Sequence, residues 1–500
     1  MLRILRKLSV IHPFLFAVFP VLFLFARNFD EVPAGDLFLP LLGALALTAI
    51  LFFASRLITK NDIKSGLVTS AFLALFFSYG RVLTLILPLT GWVKGTLMLA
   101  SFWVVLFATS VILILRSRRD FVRLTRVLMV IAVVLVLIPV TNIVVYEVRT
   151  SGRIQNTASQ MTVASNQNPT ANLPDIYYLV VDSYARASSL EEIYHYDNSD
   201  FVSYLTQKGF YVASRSRSNY AQSTLSLAAS LNMEYLEAKE VGALRDILRT
   251  NEVSRLMRDK GYKTIYISSG FFSKGFTDYA EVHLPEKSAF GINMPDFPVG
   301  LIDTTALQPF RSLIGADARK DMLYVFNEIV SIPDLKQPTF VVAHMMGVHT
   351  PFIFDREGNP PLRTALKATN VPEYYKEGYI NQLVFVNKKL KELIDQIVSK
   401  SETEPIIILQ ADHGPGSTLQ QEVTLGELSE KQLDERMNIL NAYLLPGGGN
   451  RLLYETVTPV NTFRVLFDSY FGDNYELLED KSYFSNYEAP FDFVIVPPED

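Results

Sequence analysis

Two stretches of this chain end in side chains able to hold a cation. Asp175–Asp182 reads DIYYLVVD and Pro405–Gly414 reads PIIILQADHG. Asp412 and His413 together offer an oxygen and a nitrogen ligand, and Asp182 offers a second oxygen, a donor set suited to a divalent metal. An aspartate ahead of a turn also caps helices, so either stretch alone reads equally well as a capped turn. Their occurrence as a pair favours the metal. A third stretch, Asn219–Ser226 (NYAQSTLS), places hydroxyls before the small-residue helix pattern LAASL. A serine there is ordinarily an N-cap, but the amides at a helix start also stabilise a phosphoryl group under attack. The fourth, Ala343–Pro351 (AHMMGVHTP), carries His344 and His349, and three of the six histidines fall in this run and in ADHG. Two rings so close together also fit a packed pair.

Those groups need a scaffold that brings distant segments together. DIYYLVVD, KTIYISSG (263–270), TFVVAHMMG (339–347), PIIILQAD (405–412) and NILNAYLL (438–445) are apolar runs with strand composition. Helical patterns over 187–207, 251–260, 319–331, 373–400 and 459–471 alternate with them. That alternation predicts an α/β domain with a mainly parallel sheet. In such a sheet ligands gather beyond the carboxyl ends of the strands, where Asp182 and Asp412 would stand.

The 500 residues are 49% hydrophobic, with the excess in the first third, so the chain reads as a membrane protein with a large soluble domain. Apolar segments at 11–26, 38–55, 67–87, 96–115 and 127–147 predict five membrane-spanning helices. Arg81 falls inside the third, where it would snorkel, pack within the bundle or meet a lipid headgroup. Basic residues crowd alternate loops: Arg3, Arg6 and Lys7, then Arg56, Lys60 and Lys64, then Arg116, Arg118, Arg119, Arg123 and Arg126. By the positive-inside rule the N-terminus is cytoplasmic, and five crossings put everything after about residue 148 outside. The expected domains are therefore a transmembrane region over 1–148, a polar linker over 149–174 and an extracytoplasmic catalytic domain over 175–500. A net charge of −5 argues against nucleic acid as a partner, and the lack of cysteine removes disulfides and thiolate sites.

Together the four motifs resemble the alkaline phosphatase/sulfatase superfamily, and within it the membrane-bound phosphotransferases. DIYYLVVDSY is similar to the first-strand motif of lipoteichoic acid synthases, and NYAQSTLSLAASLN to the nucleophile segment. FVVAHMMGVHTPF is similar to the HQMGSHGP-type run of lipid A phosphoethanolamine transferases, and QADHG to the SDHG pattern that closes their metal site. The resemblance implies Asp182, Asp412 and His413 as metal ligands and Ser223 as the metal-bound nucleophile. It implies His349 and His344 as groups that hold the phosphoryl oxygens or protonate the leaving group. Such a donor set suits one divalent ion, Zn²⁺ or Mn²⁺ ahead of Ca²⁺ or Mg²⁺.

Four departures narrow the reading. Leu225 and Leu227 stand where the sulfatase modification signature needs Pro and Arg, which argues against a formylglycine. Ser183 replaces a second Asp of the sulfatases, Pro415 replaces a frequent Glu, and the disulfides usual in phosphoethanolamine transferases are absent. The expected activity is transfer of a phosphoglycerol- or phosphoethanolamine-class headgroup from a membrane phospholipid to a cell-envelope glycan or lipid. A phosphoric or sulfuric ester hydrolase of the same fold is the alternative, and a catalytically inactive scaffold is a third reading.

Overall fold

The computed structural model describes residues 10–27, 32, 34–90, 92–151, 173–236, 243–268, 279–280, 282–284, 296–310, 318–361, 372–417, 423–487 and 489–499. Arg3, Arg6 and Lys7, most of the linker over 149–174 and the last two residues of the 263–270 run lie outside the described residues. The chain divides into two compact units, Met1–Gln160 with Lys287–Asp317, and Met161–Glu286 with Ala318–Asp500.

The first unit holds α1 (His12–Arg27), α2 (Phe38–Thr59), α3 (Asp62–Thr90), α4 (Trp92–Arg116) and α5 (Val122–Ser151). Their near-continuous apolar sequence suits a helix in lipid, which satisfies every backbone group internally. Four of the five are long and apolar enough to cross a membrane: Gly35–Thr59, Asp62–Ile86, Lys94–Arg116 and Val122–Val145. The segment expected at 11–26 forms α1, which is apolar but only 16 residues long. Side-chain contacts fix how the helices run. His12 Nδ1 lies 2.8 Å from Ser70 Oγ, and Arg81 lies over the Phe23 ring, so α1 and α3 are parallel. Tyr79 donates to the Thr96 carbonyl and Trp103 Nε1 to that of Leu75, so α3 and α4 are antiparallel. The helix Asp296–Thr304, from far along the chain, belongs to this unit, with Phe297 packed among Ala17, Val21, Phe25 and Leu73.

The second unit is built on a seven-stranded sheet of β1 (Ile176–Val181), β2 (Tyr211–Val212), β3 (Lys263–Ser268), β4 (Val282–Leu284), β5 (Thr339–Met345), β6 (Ile406–Gln410) and β7 (Asn441–Leu444). Their order is β2-β7-β6-β1-β5-β3-β4. The five strands from β6 to β4 are parallel, while β7 and β2 are antiparallel at one edge. β1, at the centre, is buried on both faces. Tyr177, Leu179 and Val181 enter one core, and Ile176, Tyr178 and Val180 the other, which is why its sequence is a continuous apolar run.

The predicted helix over 187–207 is two helices, Ala187–Tyr194 and Ser199–Gln207. His195 closes the first in the left-handed region at φ 53°. Pattern reading also passed over Glu430–Met437, although Ser429 and Gln432 form a reciprocal capping box at its start. The short strands β2 and β4 fell below the length at which alternation is visible.

Candidate active site

The site sits where three neighbouring parallel strands end. β1 pairs with β6 in a register that starts at Ile176 with Ile406. Continued past the strand ends, it sets Asp182 beside Asp412. On the other side of β1, His344 pairs with Val180 and lies within β5. The ligand atoms of Asp182, His344 and Asp412 all lie within 4.8 Å of one another, and all three residues are buried. His413 Nε2 is 3.6 Å from Asp412 Oδ2 and 3.9 Å from Asp182 Oδ1. Ser223 completes the group, with its Oγ 3.0 Å from His413 Nε2. Ser223, Asp182, Asp412, His413 and His344 are thus brought together. His349 is not: its ring nitrogen faces the Thr350 carbonyl, and among the described residues no hydrogen bond or ion pair joins it to the other five.

Each side chain is held by backbone geometry. Asp412 Oδ1 accepts the amides of His413 at 2.8 Å and Ser183 at 3.2 Å. The second of these requires Ser183 to adopt a positive φ of 60°, a local strain of the kind that gathers at functional sites. The Ser183 hydroxyl donates to Asp182 Oδ1 at 2.8 Å. Behind it, the Tyr379 hydroxyl donates to the Ser183 carbonyl and accepts from the Ala185 amide, which locks the turn after β1. His413 Nδ1 lies 2.9 Å from the Gly414 carbonyl, so Nδ1 carries the proton and the Nε2 lone pair faces Ser223. Gly414 itself is required by close approach rather than by turn conformation, because a Cβ there would sit 2.1 Å from the Glu435 carbonyl oxygen.

Ser223 is the first residue of the helix Ser223–Asn232. Gln222 precedes it in extended conformation, and its amide donates to the carbonyls of Ser485 and Asn486. Arg436 is buried, donating through Nε to the Ala221 carbonyl at 2.8 Å and through Nη1 to that of Gly414 at 3.0 Å. One guanidinium therefore ties the serine segment to the Asp412-His413 turn. Ser183 was legible only as the residue standing where sulfatases carry a second Asp, and Gln222, Tyr379 and Arg436 were not legible as site residues, since each acts by a contact more than a hundred positions away. An S/T-E-type motif signals a cap, but no comparable local pattern marks a positioning arginine.

Electrostatics agree with the geometry. Burial pushes the His413 ring below its ordinary value, and the Arg436 charge adds to this. Burial alone would raise the Asp412 carboxyl, but the His413 and His344 imidazoles and hydrogen bonding outweigh it and hold the group ionised. Asp412 Oδ2 is buried and accepts no hydrogen bond among the described residues. Neither Asp182 nor Asp412 meets a Lys or Arg side chain there. Two buried carboxylates with a free oxygen and facing imidazole nitrogens fit a divalent cation.

Ser183→Ala removes the hydrogen bond that orients Asp182 without touching the carboxylates. It is expected to cost about 10–100-fold in metal affinity or turnover, as for other outer partners of metal ligands. Metal titration of the variant against the parent checks this.

A family model described as Sulfatase matches residues 174–452. No curated protein matches the chain. Solved structures similar to it include the C-terminal periplasmic domain of a phosphoethanolamine transferase from Campylobacter jejuni. That domain is 13% identical, with a TM-score of 0.42, covering 64% of this chain and 94% of that one. The integral membrane lipooligosaccharide phosphoethanolamine transferase A from Neisseria meningitidis is 11% identical, with a TM-score of 0.39, covering 93% and 95%. A putative sulfatase from Bacteroides thetaiotaomicron is 14% identical, with a TM-score of 0.41, covering 64% and 74%.

Proposed function

Because the chain belongs to the sulfatase family, we propose that it is a membrane-anchored phosphotransferase. It takes a phosphoglycerol- or phosphoethanolamine-class headgroup from a membrane phospholipid onto Ser223 and passes it to a cell-envelope glycan or lipid. The observation that carries this reading is the Ser223 hydroxyl, at the first turn of a helix and 3.0 Å from His413 Nε2, beside the buried Asp182, His344 and Asp412.

Asp182, Asp412 and His413 would hold one divalent ion, with His344 placed to join them, and the mix of nitrogen and oxygen donors favours Zn²⁺ or Mn²⁺. Such an ion lowers the pKa of a nearby hydroxyl and offsets charge on phosphoryl oxygens. In the first step Ser223 Oγ forms a bond to phosphorus as the diacylglycerol oxygen leaves. In the second, an acceptor hydroxyl attacks the same phosphorus and Ser223 Oγ departs. The free amides of the helix start face the phosphoryl oxygens. His349 is assigned, on the resemblance, to hold the phosphoryl oxygens or protonate the leaving oxygen.

Five spans with a cytoplasmic N-terminus, and a catalytic domain over 175–500 outside except for the segment that packs with the first unit, complete the reading. The parallel run of α1 beside α3 supports α1 as a further span. Arg56, Lys60 and Lys64 fall at one end of these helices, and Lys64 Nζ reaches the Leu115 and Ser117 carbonyls, next to the basic 116–126 loop. Clustered basic charge at one end supports that end as cytoplasmic.

Incubation of the purified full chain with headgroup-labelled phospholipids tests the proposal. The expected result is added headgroup mass on the Ser223 peptide, chased to an acceptor lipid or glycan. Release of free headgroup alone would make the enzyme a hydrolase, and absence of label on Ser223 would overturn the covalent route.

A further inference from the structure

Residues 296–310 follow β4 and precede the helix Ala318–Ile329 of the α/β unit, yet they pack with the apolar helices of the first unit. The fit is close. The Phe297 ring meets Phe25 edge-on at 5.9 Å. A Cβ on Gly80 of α3 would stand 2.0 Å from the Asp303 carbonyl oxygen, a contact only glycine admits. The Ala306 amide then donates to the Phe76 carbonyl of α3 at 2.9 Å.

The direction of travel matters. From Asp303 to Ala306 the segment passes from the level of Gly80 to that of Phe76, toward the end of α3 that begins at Asp62. Arg81, exposed and lying over Phe23, stands one residue beyond Gly80. Among the described residues it meets no carboxylate. An arginine so placed on a spanning helix keeps its guanidinium at the headgroup level. Arg27, at the end of α1, lies over the same Phe23 ring and marks the same level. Phe76 is five residues below Arg81, or about 7–8 Å at ~1.5 Å per residue. Leu307 and Phe310, which follow Ala306 in one short turn, are 44% and 54% exposed. Their exposed surface is continuous in level with the exposed apolar face of α4 at Met98 and Phe102, which the Tyr79–Thr96 and Trp103–Leu75 hydrogen bonds set beside this part of α3.

We propose that residues 296–310 form an insert in the outer leaflet, seated on α3 at Gly80 and Phe76, whose Leu307 and Phe310 contact phospholipid acyl chains. The insert rests on the reading that these helices span a membrane. It gives the α/β unit a second attachment to the bilayer, in addition to the chain leaving α5. Because 286 and 318 both belong to the α/β unit, the segment is joined to that unit at both of its ends. A second covalent tether to a lipid-embedded unit raises the effective concentration of a lipid substrate for the enzyme.

The absence of cysteine permits single-site labelling of the full chain. Phe310→Cys, Phe102→Cys (a 58% exposed position in α4) and Lys388→Cys (exposed, in the α/β unit) are each given a fluorescent label and reconstituted in phosphatidylglycerol–phosphatidylethanolamine vesicles. Nitroxide-labelled lipid should quench the probes at 310 and 102 alike, and aqueous iodide should quench only the probe at 388. If the probe at 310 behaves as that at 388 while 102 is quenched by lipid, the insert is overturned and the spanning helices stand. Iodide quenching at all three sites would overturn both. Gly80→Leu, which fills the space under Asp303, should lower lipid quenching at 310 by about twofold or more and leave 102 unchanged. Unchanged quenching at 310 in that variant would overturn the seat on α3.

Discussion

Ser223→Ala is expected to abolish headgroup transfer while leaving the fold intact. The hydroxyl is the proposed attacking group, and loss of a nucleophile typically costs on the order of 10⁴–10⁶-fold, leaving only binding and positioning effects. The side chain is half-buried and its hydrogen bond is to His413 Nε2, so no structural bond of the core is lost with it. The neighbouring Thr224 is the control. It caps nothing, because the helix start at Gln222 has no side-chain cap bond, and the Thr224 hydroxyl has no hydrogen-bond partner among the described residues. Thr224→Ala should therefore cost less than the ~0.5–2 kcal/mol of a lost cap and keep turnover. Ser223→Thr keeps a hydroxyl at the same place and should retain part of the activity. Single-turnover labelling with phospholipid, beside thermal unfolding of each variant, separates these outcomes. A dead Thr224→Ala with a Ser223→Ala that still labels would move the nucleophile by one residue.

Asp412→Asn should empty the site of metal with little change in fold. The amide oxygen of asparagine can still accept from Ser183 and His413, which are the bonds Asp412 Oδ1 makes now. What changes is Oδ2, the buried oxygen that accepts no hydrogen bond among the described residues and is the natural ligand atom. An amide nitrogen in its place cannot coordinate a cation, and the charge that offsets it is gone. The loss of affinity should exceed the ~10–100-fold expected for Ser183→Ala, which removes only an orienting bond. Elemental analysis of purified protein and the response of its unfolding temperature to added Zn²⁺ or Mn²⁺ would show it. Bound metal at parent stoichiometry would remove Asp412 from the ligand set.

Much of this protein is legible in its sequence because the relevant signals are local. β1, β5 and β6 are unbroken apolar runs, as strands buried on both faces must be, and each carries its polar group at or near its carboxyl end. The helices of the first third announce themselves by length and apolar content alone. Asp182, Asp412, His413 and the Ser223 segment were readable because each interrupts such a pattern with a residue type that chemistry needs.

Other features depend on contacts between residues far apart in the chain, and only the tertiary structure decided them. His344 reads from sequence as a group for the substrate, yet its register with Val180 sets it among the carboxylates. Arg436 is one basic residue among 46 Lys and Arg, and its joining of Ala221 to Gly414 follows from the antiparallel return of the chain into β7. The placement of residues 296–310 with the first unit turns on Gly80, whose missing side chain has meaning only when the Asp303 carbonyl lies against it. Periodicity and composition determine which segments are buried and in what secondary structure. Which buried segment meets which is set by packing between them, and that information is shared among residues too distant for any local pattern to carry.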